Sequence, residues 1–146
     1  MTRKALLFLA VSSLCGALTA PLCAQALDPI ARFDIPFEFT VSRQTLPAGE
    51  YTVRLGASTG MLLIQSQGDR PRAAFSASFP AGNAIGNQCT LTFHRYGDQF
   101  FLSRISQGGG YPVRGLHVSP AERKLAKAPS PGRFQAVILA ALPTRR

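Results

Sequence analysis

The chain has no tryptophan, two histidines, three cysteines and seven acidic residues among its 146 residues. So few metal-ligating and disulfide-forming side chains argue against a multi-cysteine zinc site and against a disulfide-dense miniprotein. The length accommodates one domain, with or without a targeting segment, and excludes a multidomain enzyme. Hydrophobic residues make up 46% of the chain and charged residues 16%. That is enough apolar material for a packed core and too little charge for a disordered chain.

The amino terminus has the three-part pattern of a secretory signal peptide. Arg3 and Lys4 precede an apolar, uncharged stretch over residues 5–20, and a small-x-small sequence at residues 24–26 supplies a cleavage site. The apolar stretch is shorter than the roughly 20 residues that span a bilayer. The sequence therefore predicts a signal peptide over residues 1–26 and one secreted β domain over residues 27–146, with no transmembrane segment after cleavage. Its expected location is the periplasm, the outer cell surface or the medium.

Removal of the signal peptide changes the charge and the cysteine count. The processed chain has 120 residues, and its formal charge falls from +9 to +7 because one arginine and one lysine are lost. Two cysteines are lost as well, which leaves Cys89 with no partner for an intrachain disulfide. Cys89 alternates in phase with Leu91 and Phe93, so we expect it to be buried and inert, rather than paired with another chain.

The remaining chain has the alternating pattern of β-strands. Apolar residues occupy every second position in residues 33–41 and 51–55, while residues 61–64 form a short apolar run. Pro36 removes a backbone donor, which predicts an edge strand or a bulge there. Phe75 and Phe79 alternate with smaller residues over 73–79, and residues 80–88 read as a loop. Turns are predicted at residues 46–49 and 67–70.

The second half of the chain contains the clearest hairpin. Residues 89–96 and 99–106 are β-rich and are separated by Gly97-Asp98, a two-residue connection. A further short strand is predicted over residues 113–118. The apolar residues 134–142 are interpreted as a closing strand, with a buried helix as the alternative, since periodicity does not decide for such a run.

One short helix is predicted over residues 120–127. Ser119 precedes Pro120, and Glu122 lies three positions after Ser119, which is the pattern of a capping box with proline at the first helical position. Together these elements predict an all-β, mainly antiparallel fold. We expect a small β-sandwich or β-barrel of about seven or eight strands with this one capped helix.

Four stretches carry a resemblance to a known group of proteins. They are the sequences IPFEFTV at 35–41, LPAGEYTV at 46–53, LTFHRYGDQFFLS at 91–103 and the capped segment at 119–126. In this order and spacing the chain resembles a family of small secreted bacterial β-domain proteins with no established activity. The resemblance implies a predominantly β secreted domain and brings no catalytic residues. The chain departs from the family pattern at residues 108–112 and in its last twenty residues.

The FHRYGD stretch at residues 93–98 is where a site would be sought. On a strand His94 and Tyr96 share one face, and Arg95 lies on the other. His94 would serve as a general base if Asp98 oriented it, but a hairpin turn is the usual place for an aspartate. We favour a structural network that holds the hairpin, with Arg95 paired to an acidic residue across the strand.

Other candidate residues have structural explanations. Ser119 is accounted for as a helix cap, and Glu122 as its capping-box partner. His117 has no cysteine or carboxylate at ligand spacing, and the glycines at 108–110 lack the lysine and helix of a phosphate-binding loop. The sequence therefore identifies no catalytic, cofactor-binding or metal-ligating residue, and six residues are retained as structural or contact candidates: His94, Arg95, Tyr96, Asp98, Ser119 and Glu122.

Three functional hypotheses remain. The first is a non-enzymatic exported protein of the cell envelope or extracellular space, which acts through assembly or contact, including self-association. The second is a soluble periplasmic or extracellular module that binds an envelope polyanion or a small amphiphile, since the basic charge favours polyanions. Specific nucleic-acid recognition is not expected, because its motifs are missing. The third is a small hydrolase, for which His94 is the candidate base.

Overall fold

The computed structural model describes residues 28–56, 60–128 and 135–142. These ranges contain ten strands and one helix, and the predicted signal peptide lies outside them. The strands are β1 (Asp28–Ile35), β2 (Phe39–Val41), β3 (Gln44–Leu46), β4 (Gly49–Leu55), β5 (Met61–Ser66), β6 (Ala73–Asn83), β7 (Thr90–Tyr96), β8 (Gln99–Ser106), β9 (Pro112–Leu116) and β10 (Gln135–Ala140). The helix α1 spans Pro120–Ala126 and lies between β9 and β10.

The ten strands form one open sheet. Its order is β1-β4-β5-β6-β9-β8-β2-β3, with β7 on β8 and β10 on β7. All pairs are antiparallel except β2 and β8, which run parallel at Thr40 and Phe101. The Leu142 amide donates to the Arg32 carbonyl at 2.8 Å, so the outer strands β1 and β10 approach each other at one point. The predicted all-β class with one short helix is confirmed, although the strands number ten instead of seven or eight.

The first predicted strand is two strands in the structure. β1 ends at Ile35 and β2 begins at Phe39, because Pro36 cannot donate to a ladder and interrupts the pairing. The alternation of burial nevertheless continues across the break, since Phe33, Ile35, Phe39 and Val41 are all at most 1% exposed. Both strands therefore contribute the same apolar face to the core.

Aromatic rings fill much of the core. The Phe39 ring stands nearly perpendicular to the rings of Tyr51 and Phe93, with centroids 5.1 and 5.5 Å away. Phe37 stacks on Phe100 at 3.9 Å. The buried Tyr51 hydroxyl donates to the Pro47 carbonyl at 2.6 Å, which satisfies its polar atom and fixes the turn between β3 and β4.

Strand β6 is longer than its sequence-based description, and the structure shows which of its faces is buried. It continues to Asn83, so the loop predicted to begin at residue 80 starts later. Its buried residues are Ala74 and Ser76, whereas Phe75 is 59% exposed and Phe79 is 40% exposed. The larger side chains of this strand therefore lie on the outer face of the sheet.

The later elements follow the prediction closely. β7 and β8 form the expected hairpin around Gly97, whose φ of 61° is the left-handed conformation that a primed turn requires. Residues 135–140 form strand β10, not the alternative helix, and pair with β7. Helix α1 begins at Pro120 after the Ser119 cap. The β7–β8 hairpin and α1 bring together most of the six candidate residues.

Candidate functional site

The main polar cluster joins the β7–β8 hairpin to helix α1. β7 projects His94 and Tyr96 from the same face, as the strand period predicts. Glu122 occupies the third position of α1, and its Oε1 lies 2.6 Å from Nδ1 of His94. The Glu122 side chain is 5% exposed and that of His94 is 22% exposed. A nearly buried carboxylate thus ties the helix to the strand.

Tyr96 belongs to the same cluster. Burial raises the pKa of its hydroxyl, and the negative charge of Glu122 and a hydrogen bond with Glu122 raise that pKa further. The Tyr96 ring also meets Phe101 edge to face, with centroids 6.0 Å apart. Glu122 therefore interacts with two β7 side chains, and the three residues form one shared polar network.

The helix cap completes the connection. The Ser119 hydroxyl accepts a hydrogen bond from the Glu122 amide at 3.1 Å, which confirms Ser119 as the N-cap. Ser119 is 5% exposed and Glu122 is 4% exposed. The Glu122 carboxylate, predicted as the capping-box partner of Ser119, binds His94, 28 positions earlier in the chain.

The position of Asp98 in the hairpin turn is as expected, whereas the acidic partner predicted for Arg95 is wrong. Asp98 is exposed in the hairpin turn, and the carboxylate beside His94 is that of Glu122. Arg95 has no acidic neighbour across the strand, since its register partners are Phe100 and Gln135. Its Nε instead donates to the Gly97 carbonyl at 2.7 Å, and its guanidinium lies 5.4 Å from the centre of the Phe100 ring. Arg95 thus stabilises the turn by local contacts.

The cluster offers little for cofactor or metal chemistry. Within residues 28–56, 60–128 and 135–142, no three His, Cys, Asp or Glu residues come together as metal ligands. His117 is exposed and lies beside the Phe79 ring, with ring centroids 5.0 Å apart. Cys89 is half-buried, its Sγ donates to the Gln107 carbonyl at 3.1 Å, and burial raises the pKa of its thiol. A raised pKa disfavours the reactive thiolate, which agrees with a structural Cys89.

A second candidate region is an exposed apolar surface on β5 and β6. The register places Phe75 beside Leu63 and Ala77 beside Met61, and residues directly opposite each other share a face. Phe79 continues this row along β6. Phe75 is 59% exposed, Phe79 40% and Met61 38%. We call these five residues, Met61, Leu63, Phe75, Ala77 and Phe79, the apolar band.

Strand β9 extends the apolar band at its Phe79 end. Gly115 pairs with Phe79, and a Cβ at Gly115 would lie 2.8 Å from Cζ of that ring. The ring therefore lies directly over the glycine, in space that any other residue would fill. Sequence reasoning missed the apolar band, although the alternation of Phe75 and Phe79 with Ala74 and Ser76 was the available signal.

A basic groove lies on helix α1. Arg123, Lys124 and Lys127 line a shallow depression together with Pro120. All three basic side chains are exposed and lie at the carboxyl end of the helix, where the macrodipole favours cations.

Comparison with known proteins leaves the polar cluster, the apolar band and the basic groove to be interpreted from their own chemistry. The chain matches no protein-family model, no curated protein and no solved structure. Within the described residues, no helix has the length and apolar character needed to cross a membrane.

Proposed function

We propose that this chain is a non-enzymatic exported protein of the cell envelope or extracellular space, which acts through assembly or contact. The observation that carries this proposal is the apolar band, where two phenylalanines and a methionine remain at least 38% exposed on a strand pair whose other face is packed. Contiguous exposed apolar side chains on a small domain typically mark an interaction surface. Export is inferred from the signal-peptide pattern of residues 1–26.

The polar cluster supports a structural role for His94. The His94 Nδ1 atom is engaged at 2.6 Å by the Glu122 carboxylate, which is itself nearly buried. That carboxylate belongs to helix α1, so the pair connects the helix to strand β7. We favour this structural role for His94 over the hydrolase alternative, in which His94 would be the base.

Fractionation of the native host tests the proposal. The amount of the processed 27–146 form is measured in each cell fraction, and its molecular size in each fraction is determined at low and at high salt. We expect it in the envelope or in a large assembly that survives high salt, because apolar contacts are weakly screened. The variant F75S/F79S should shift to a soluble monomer, and Ile85→Ser is the matched control, since Ile85 is fully exposed outside the band.

Two outcomes would contradict the proposal. One is a wild-type protein that is a soluble monomer in both salt conditions. The other is a folded F75S/F79S variant that distributes between the pools as the wild type does.

The basic groove favours a second candidate function, binding of a polyanion. Arg123 and Lys124 in the last turn of α1, and Lys127 directly after the helix, carry three positive charges around one depression. Binding of dextran sulfate through this groove should fade steeply between low and high salt. It should also weaken in K124Q/K127Q and persist in F75S/F79S. Contact through the apolar band should instead be lost in F75S/F79S and persist in K124Q/K127Q.

A further inference from the structure

We propose that the partner of the apolar band is an anionic lipid surface. Phe75, Phe79 and Met61 would enter the boundary between headgroups and acyl chains, while flanking arginines contact lipid phosphates. This inference rests on the proposed function, because it names the partner of the same contact surface.

The apolar part of the argument is the arrangement of the side chains on β5, β6 and β9. Phe75 and Phe79 project from one face of a single strand, and Met61 stands opposite Ala77 between them. Gly115 leaves room for the Phe79 ring to lie on the sheet, because a Cβ there would approach two ring carbons to 2.9 Å or less. The result is a row of large apolar side chains on one outer face. Binding of such a surface at a membrane interface scales with the apolar area that it buries.

The charged part of the argument is the residues on either side of the band. Arg54 on β4 pairs in register with Leu63, so it borders the band at one edge. Arg104 on β8 pairs with Gly115 and borders it at the other edge. The sequences of β5, β6, β8 and β9 contain no aspartate or glutamate. The carboxylate on β4 itself is Glu50, four residues before Arg54. An apolar row bordered by two arginines, on strands β5, β6 and β9 that carry no carboxylate, is complementary to an anionic amphiphilic surface.

Neither flanking arginine is neutralised by a carboxylate of the described residues. Among the described residues, no carboxylate forms an ion pair with Arg54 or Arg104. The Nε atom of Arg54 is shielded from solvent and has no hydrogen-bond partner within the same part of the chain. Arg54 and Arg104 therefore border the apolar band as cations with no carboxylate partner among the described residues.

A second copy of the chain fits this surface less well. A two-fold contact between identical faces would bring the arginine-bordered edges of both copies together. The whole chain has a formal charge of +9, so no excess of negative charge on a second copy would offset this repulsion. An anionic membrane provides the apolar and the negative component together.

Vesicle flotation tests the inference. The host-processed protein is mixed with phosphatidylcholine vesicles or with vesicles that contain equal parts phosphatidylcholine and phosphatidylglycerol, at low ionic strength. We expect binding to the anionic vesicles and little to the neutral ones. The exposed Arg104→Gln should weaken binding by on the order of fivefold. R54Q/R104Q should have the larger effect, and Arg43→Gln, an exposed arginine in the β2–β3 turn, should behave as wild type.

The apolar contribution is measured with F75S/F79S and its control Ile85→Ser, each checked for native circular dichroism. F75S/F79S should lose vesicle binding by at least about tenfold. Dextran sulfate separates the lipid surface from a soluble polyanion, because its binding should not depend on Phe75 or Phe79.

Several results would overturn the inference. They are equal binding to neutral and anionic vesicles, unchanged binding of F75S/F79S or Arg104→Gln, and a self-assembly that depends on the band in the absence of lipid. Envelope association in the host without vesicle binding would refute the lipid partner and leave the proposed contact function standing. A soluble wild-type monomer in the host would refute the proposed function itself.

Discussion

Replacement of Glu122 by alanine should destabilise the protein by about 3 kcal/mol. The carboxylate is nearly buried, and it interacts with His94 at 2.6 Å and with the Tyr96 hydroxyl. A hydrogen bond to a charged group contributes about 1.5–3 kcal/mol, and the lower value applies to each contact because the His94 side chain is 22% exposed. Since total stabilities are about 5–15 kcal/mol, this change removes a large part of the folding free energy.

Urea unfolding followed by circular dichroism measures the effect. With a slope of about 2 kcal/mol per molar urea, the transition midpoint of Glu122→Ala should fall by about 1.5 M. Glu122→Gln keeps the side-chain length and one carbonyl acceptor, so its loss should be about half as large. The matched control is Glu38→Ala, because Glu38 is exposed in the segment between β1 and β2. A Glu122→Ala variant within about 0.5 kcal/mol of wild type would refute the view that this network holds α1 to the sheet.

Three further perturbations have defined outcomes. Tyr96 has a folded-state pKa above its usual 10.0, so its stabilising contribution is complete below pH 10 and is lost as the pH rises through the folded pKa. Tyr96→Phe should therefore reduce the loss of stability above pH 10, measured by unfolding at a series of pH values. A pH profile equal to that of the wild type would contradict this. Gly97→Ala should lower the unfolding free energy by about 1–2 kcal/mol for its positive φ alone. Gly108→Ala should lower it by at least about 1 kcal/mol more, because its Cβ would lie 2.4 Å from the backbone carbon of Asn87. Equal urea midpoints of the two variants would contradict this. Phe93→Ala, at a fully buried core position, should lower the unfolding free energy by about 3–5 kcal/mol in the same assay, and a loss below 1 kcal/mol would rule out its place at the centre of the aromatic core.

The parts of the fold that sequence reasoning predicted are those controlled by local rules. The hairpin around Gly97 follows from a two-residue turn that requires positive φ, and the start of α1 follows from Ser119 and Pro120. The alternating burial of Phe33 and Ile35 follows from the strand period. In each case neighbouring residues are sufficient to determine the conformation.

The polar cluster could not be assembled in the same way. The contact between His94 and Glu122 joins residues 28 positions apart and links α1 to β7. From the sequence, Glu122 was fully explained as a capping residue, and Asp98 was the nearest carboxylate along the chain to His94. Proximity in sequence therefore does not identify the carboxylate that binds His94, since the fold turns Asp98 to solvent.

The orientation of β6 shows why alternation alone does not identify the buried face. Ala74 and Ser76 face inward, where they stand opposite the fully buried Ile64 and Leu62 of β5, so small residues meet large ones across the strand pair. Ser76 also accepts a hydrogen bond from the Ser42 hydroxyl at 2.8 Å, which satisfies a polar group on the inner side. A shift of one residue would exchange the two faces and bring phenylalanines against residues that already fill the core. Packing therefore explains why the serine lies inside. Packing does not explain why the larger apolar residues are exposed, but contact with a partner outside the fold would.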